Sequence, residues 1–285
     1  MPDPKQLPYL IRLLDDDSPI VRDAVLKELA SFGPSLEPEL AHLQITPNQD
    51  QMLVIEDLLA THNRQWLQEA WPTWFGLKEG KDMLETALSL LAEFQNGRSY
   101  PVKLTMLLDR LAQDYRLMHQ QGDAKTLAHL LFRERRLKGA SHQDYYDPQN
   151  SNLVYVIEKH RGIPISLVCI YILVGHRLGL EIEGCNLPGH FLAIASMKKH
   201  RYIVDCFNGG RSIKEQDLTG IDATISLEDI IRLECQAPTI IARVLRNLTT
   251  AYQHVNSAPN MQLMVELTEM IERESNHLFG QPRRA

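Results

Sequence analysis

The sequence predicts an α+β protein that is mostly α, with a helical N-terminal region, a core holding a small antiparallel sheet, and a C-terminal helical hairpin. Three observations predict it. Apolar residues recur at helical spacing through most of the first 137 residues. After Gly139 the texture changes to a turn-rich loop, an almost wholly apolar helix and short runs of strand length. From about residue 213 the helical spacing returns.

Taken in order, Leu7, Leu10, Ile11 and Leu14, then Val21, Ala24, Val25 and Leu29, form two apolar stripes. Asp17-Ser18-Pro19 between them supplies an N-cap and a proline for the first turn, so a helical hairpin is predicted. Its pattern resembles a HEAT repeat, which cannot bury its own face alone. No second copy follows, so it either caps the next domain or meets a partner. Residues 34–75 continue helical, with breaks expected at Pro34, Pro38, Pro47 and Pro72. Trp66, Trp71, Trp74 and Phe75 are expected to be core aromatics near a domain junction. Helices follow over 78–96, with Gly97 as C-cap, then 103–119 and 124–137.

Residues 144–152 form a loop, 153–160 a short helix and 162–178 a longer, buried one. Strands are expected within 181–187, 191–196 and 201–205, the last two joined by a hairpin turn at Lys198-Lys-His200. Helices over 238–255 and 260–276, broken at Ser257-Ala-Pro259, resemble a tetratricopeptide hairpin. The expected domains are 1–76, 77–215 and 216–285.

Composition narrows the function. A net charge of -6 with no long Lys/Arg run gives no nucleic-acid footprint. No apolar run reaches the roughly 18–20 residues that cross a bilayer, and Met1-Pro-Asp-Pro-Lys5 lacks a signal peptide's features. Cys169, Cys185, Cys206 and Cys235 are widely and irregularly spaced, with no CxxC pair. That spacing suggests no metal site and no disulfide framework, and a reducing cytoplasm as the location. No cofactor is implied.

The chemistry-bearing residues lie in the α+β core. A Cys–His–Asp site places its thiolate at a helix N-terminus, a histidine within reach, and a carboxylate that fixes the histidine's tautomer. His190 is expected on the first strand of a hairpin and Asp205 at the end of the next, where adjacent strands bring them to one face. The buried helix starts near Pro164, a residue favoured at the first helical position.

Four motifs in order carry a family resemblance: Tyr145-Tyr-Asp-Pro-Gln-Asn-Ser-Asn-Leu153, Arg161-Gly-Ile-Pro-Ile-Ser-Leu167, Leu187-Pro-Gly-His-Phe-Leu192 and Val204-Asp-Cys-Phe-Asn-Gly-Gly210. Over roughly 80–240 the chain resembles the transglutaminase-like superfamily, and within it the bacterial SirB-type, tetratricopeptide-associated branch. The resemblance implies a papain-like α+β core. It implies that His190 and Asp205 are the superfamily's His and Asp, and that the nucleophile's position falls on Pro164. Cys169 is five residues further on and points about 140° away, and Ser166 about 200° away. Cys206 alternates to the face opposite Asp205. Cys185, ahead of His190, is the remaining nucleophile to weigh, without a helix dipole behind it. Asn150, Ser151, Pro164, Asn186 and Asn208 are the expected binding residues around a vestigial His190–Asp205 pair.

The expected function is that of a degenerate, non-catalytic transglutaminase-like adaptor that binds a protein, peptide or small ligand. The alternative is a cysteine- or His/Asp-dependent amide hydrolase or acyl transferase.

Overall fold

Asn48, Asp123 and Asn152 cap the helices that follow them, and buried apolar faces hold the helices together. The computed structural model describes residues 2–98, 100–119, 122–187, 190–197, 200–213 and 234–279. The hairpin turn expected at Lys198-Lys-His200 and the Pro188-Gly189 pair fall largely outside the described residues, as does 214–233. The chain divides into two compact units, Met1–Ala70 with Glu93–Pro101, and Trp71–Ala92 with Val102–Ala285.

The first unit begins with α1 (Leu7–Leu13), α2 (Pro19–Ser31), α3 (Leu36–His42) and α4 (Gln49–Ala70). Its core is Leu7, Ile11, Leu14, Val25, Leu29, Phe32, Leu36, Leu40 and Ile55. Ala24, expected on this face, is exposed instead. Pro38 does not break the chain as expected but sits in the first turn of α3, where a missing N–H leaves no helical bond unmade. At the start of α4, the Gln51 side chain accepts from the Asn48 N–H at 3.0 Å, and Asn48 accepts from the Gln51 N–H at 2.8 Å. The buried Gln51 amide also donates to the Ile11 carbonyl at 3.0 Å and to Asp15 at 2.7 Å, which fastens α4 to α1.

In the second unit, α5 (Gly80–Asn96) runs on into residues of the first unit, and α6 (Leu104–Met118) and α7 (Ala124–His129) follow. The helix expected to reach residue 137 passes into a π turn at Leu130–Glu134. Lys138–Gly139 (β1) pairs in parallel with Arg161–Gly162 (β2), enclosing α8 (Leu153–Lys159). Gly162, expected inside the next helix, therefore belongs to an extended strand, and α9 (Pro164–Arg177) starts two residues later.

Every residue of α9 from Pro164 to Gly175 is buried. The apolar face of α6, with Leu104, Leu108, Leu111, Ala112 and Tyr115 buried, packs against α9. Tyr171 donates its hydroxyl proton to the Ala124 carbonyl at 2.6 Å, so the one phenol inside this helix is satisfied. Gly175 allows the sheet to approach closely, since a Cβ there would lie 2.5 Å from Ile182 Cδ1.

The sheet on α9 has five antiparallel strands in the order β6-β5-β4-β3-β7: β3 (Ile182–Cys185), β4 (Leu192–Met197), β5 (His200–Asp205), β6 (Arg211–Ile213) and β7 (Glu234–Cys235). Ala193 pairs with Val204 and Ile194 with Ile203. The helix expected from about 213 falls on 214–233, outside the described residues; β7 lies between that segment and the closing hairpin. The closing hairpin is α10 (Ala237–His254) and α11 (Ala258–Phe279), with Asn256 in the left-handed region at the turn (φ 56°). No described helix is long and apolar enough to cross a membrane. The fold is α+β and mostly α.

Candidate functional site

The loop before α8 is fixed by its own side chains. Asp147 accepts from the Gln149 N–H at 2.9 Å, and Asn152 caps α8 by accepting from the N–H groups of Val154 and Tyr155 at 3.1 and 3.3 Å. Asn150 is buried and donates its amide to the Asp144 carbonyl at 2.5 Å. The Asn150 carbonyl in turn accepts the Ser166 hydroxyl at 2.6 Å, which joins the loop to the first turn of α9. Asn150 and the buried Ser151 thus lie beneath the loop. The rings of Tyr145 and Tyr146 face outward there, 36% and 44% exposed.

Pro164 occupies the first turn of α9 behind an extended Ile163, the conformation favoured ahead of proline. The first turn carries Pro164, Ile165 and Ser166, with no thiol among them. Cys169 lies deeper in α9, and burial pushes its thiol far above the ordinary range. Cys206 is raised well above it too, by burial and then by the neighbouring Asp205 carboxylate. Such thiols are poor nucleophiles. Cys185 is fully buried in β3, paired across to Leu192 in β4.

His190, expected on the first strand of the hairpin, stands two residues ahead of β4, whereas Asp205 ends β5 as expected. The His190 Nε2 lies 3.3 Å from Asp205 Oδ1, with the His190 side chain 22% exposed and that of Asp205 4%. Burial raises the Asp205 pKa, but hydrogen bonds from His190 and Asn208 outweigh it and hold the carboxyl below its usual value. Asn208 gives its N–H to Oδ1 at 3.0 Å and its side-chain amide to Oδ2 at 2.6 Å. Facing the ionised Asp205, Nε2 is the ring nitrogen that carries a proton. Asn208 is therefore placed as a partner of Asp205, and Asn186 as an acceptor for Arg243 of α10.

Rings continue outward from the dyad. His190 lies 6.4 Å from Phe207 and Phe207 6.5 Å from Tyr145, all edge to face. Tyr145 meets Tyr146 at 5.4 Å, and Tyr146 stacks on His254 at 3.9 Å. Phe207 rests on the backbone of β1, because a Cβ on Gly139 would lie 2.5 Å from its ring. Gly139→Ala is expected to push this ring aside and to lower stability by about 1–3 kcal/mol, read from urea unfolding and a crystal structure of the variant.

The sequence reading missed Phe207, Gly139 and Arg243 as parts of this face. Gly139 was visible only as a helix end, and Arg243 only as a charge beside the apolar stripe of Ile240, Ile241 and Val244. A separate cleft of about 530 Å³ is lined by Trp74, Phe75, Met83, Ile240 and Ile271 among others, and contains neither His190 nor Asp205. Glu79, Asp82 and His176 bring three ligand-type atoms within 4.8 Å of one another, but all three residues are exposed.

α9 opens on Pro164, and His190, just ahead of β4, meets Asp205 at the end of β5. Residues 98–246, just over half of the chain, match the profile of the Transglutaminase-like superfamily. The chain belongs to that superfamily. A UPF0162 protein of Xylella fastidiosa (strain 9a5c) is 32% identical over 210 residues, covering 65% of this chain and 71% of that protein. F-box only protein 21 of Mus musculus is 27% identical over 165 residues, 54% of this chain and 25% of that protein. A UPF0162 protein of Vibrio cholerae is 28% identical over 97 residues, 33% of this chain and 36% of that protein. No solved structure matches significantly. In this transglutaminase-like chain the dyad can donate, accept and order a polar group, whereas the start of α9 offers no attacking thiol.

Proposed function

We propose that the chain is a non-catalytic, SirB-type transglutaminase-like protein that uses the face around His190 to bind a protein, peptide or small ligand. One observation carries this reading: the first turn of α9 holds Pro164, Ile165 and Ser166, while the His190–Asp205 pair stays assembled. An imidazole held by a buried carboxylate is a good hydrogen-bonding group whether or not a nucleophile stands beside it. The match to one quarter of F-box only protein 21 supports use of the domain as a module within a longer chain. The N-terminal HEAT-like hairpin and the tetratricopeptide-like α10–α11 pair would hold a protein partner, and four buried thiols suit a reducing cytoplasm.

The test pairs activity with binding. The whole chain and a folded His190→Ala variant are assayed against amide, ester and glutaminyl-peptide substrates, and both are expected to stay at the buffer rate. A partner isolated with the wild type is expected to be lost from Phe207→Ala at unchanged stability. Turnover that disappears in His190→Ala would overturn the proposal in favour of a hydrolase working through a His190-activated water or through Cys185.

A further inference from the structure

We infer that the His190 face takes a ligand bearing a compact anionic group, a carboxylate or a phosphate, which docks on Arg243 while the ligand's apolar body lies along Phe207, Tyr145 and Tyr146. This inference rests on the binding reading above and names the ligand's chemistry.

Arg243 projects from α10 at the edge of its buried stripe and is itself only partly exposed. Its Nη1 donates to Asn186 Oδ1 and, at 3.2 Å, to the Leu187 carbonyl. That same carbonyl accepts the His190 backbone N–H at 3.2 Å, so the guanidinium is fixed to the loop that carries the histidine. The guanidinium carbon lies over the Phe191 ring, 5.1 Å from its centre. A guanidinium has five N–H groups in a rigid fork. Nη1 accounts for two of them, and among the described residues Nε and Nη2 make no hydrogen bond or ion pair.

Charge points the same way. Burial lowers the Arg243 pKa, and Arg246, one turn along α10, lowers it further. The groups that favour its charged form are Cys235, Tyr145 and Cys185, none of them a carboxylate. Tyr145 is a phenol whose pKa is raised, first by burial and then by Tyr146. A half-buried cation with a same-sign neighbour and no described carboxylate partner is costly unless an anion reaches it. Carboxylates and phosphates match the remaining edge of the fork with two parallel bonds. The rings that run on from His190, Phe207, Tyr145 and Tyr146, are partly exposed and offer an apolar wall at low entropic cost.

The whole chain is titrated with N-acetyl-L-phenylalanine, its C-terminal amide, and phenyl phosphate. Binding is followed by calorimetry and by the arginine Nε–Hε signals in nitrogen-15 spectra. The expected result is saturable binding of an anion that moves one arginine signal, with the amide at least about tenfold weaker. Preference between the two anions identifies carboxylate or phosphate as the natural group. Arg243→Lys keeps the charge but loses the fork, and is expected to weaken the anion by about tenfold. Equal binding of acid and amide, or binding unchanged in Arg243→Lys, would each overturn the assignment. Equal acid and amide binding that is lost in Phe207→Ala would overturn the anion while leaving the binding face intact. The binding reading itself fails on a separate observation, His190-dependent turnover.

Discussion

Phe191→Ala is expected to destabilise the second unit by about 3–5 kcal/mol, seen as a lower urea midpoint for that unit. Phe191 is 1% exposed and stands one residue ahead of β4. Its ring tip fills the space that a side chain on Gly184 of β3 would occupy, with a Cβ there only 2.9 Å away. Its face supports the Arg243 guanidinium at 5.1 Å. Truncation leaves a cavity between sheet and α10 that the surrounding backbone cannot fill, and Arg243 loses the surface that orients it. Phe191→Leu should recover most of the stability, because the site needs volume more than aromaticity. An alanine variant within 1 kcal/mol of the wild type would show that this part of the core collapses freely.

Asp205→Asn is expected to cost on the order of 2–3 kcal/mol at neutral pH, because its bonds to His190 and Asn208 lose their charge assistance. The carboxyl is 3% exposed and its pKa is held below the ordinary value, so the folded state binds this proton less readily than the unfolded chain. Its contribution is therefore complete well above the unfolded pKa of about 3.9. It fades as the pH falls toward and through the lower folded value. The wild type should lose this stability on acidification, and Asp205→Asn should show a shallower acid limb in the same range. Parallel acid limbs for the two proteins would mean that the dyad contributes nothing to the pH dependence.

The parts of the fold legible in the sequence are those specified by local chemistry. Proline at the head of an apolar run marked the start of α9, and the runs around Ile194 and Ile203 marked two adjacent strands. Asp205 followed from the second of those strands, and His190, two residues ahead of the first, is carried to it by the same hairpin. β6 and β7 are three and two residues long, too short for any periodic signal. The π turn at Leu130–Glu134 keeps helical composition while changing its bond pattern, so composition alone reads it as a continuing helix. The parallel bridge of β1 to β2 joins residues more than twenty positions apart, and nothing local to Gly162 announces it. The contact of Phe207 with Gly139 and the grip of Arg243 on the Leu187 carbonyl are likewise tertiary facts. Within the candidate site the sequence pointed to His190, Asp205 and Asn208, which lie together, but not to Phe207, Gly139 or Arg243.

Burial along α9 has a consequence for the way the His190 face is presented. A helix with twelve successive residues out of water has no solvated side on which to float, so it cannot detach and redock as a surface helix does. Its backbone amides are shielded by α6 and the sheet, and they open to solvent exchange only when the unit that encloses them opens. The turn at Pro164 and the strands resting on this helix therefore share one cooperative fate. Whatever binds beside His190 meets a surface whose underlying scaffold was ordered during folding, and pays little to order that scaffold again.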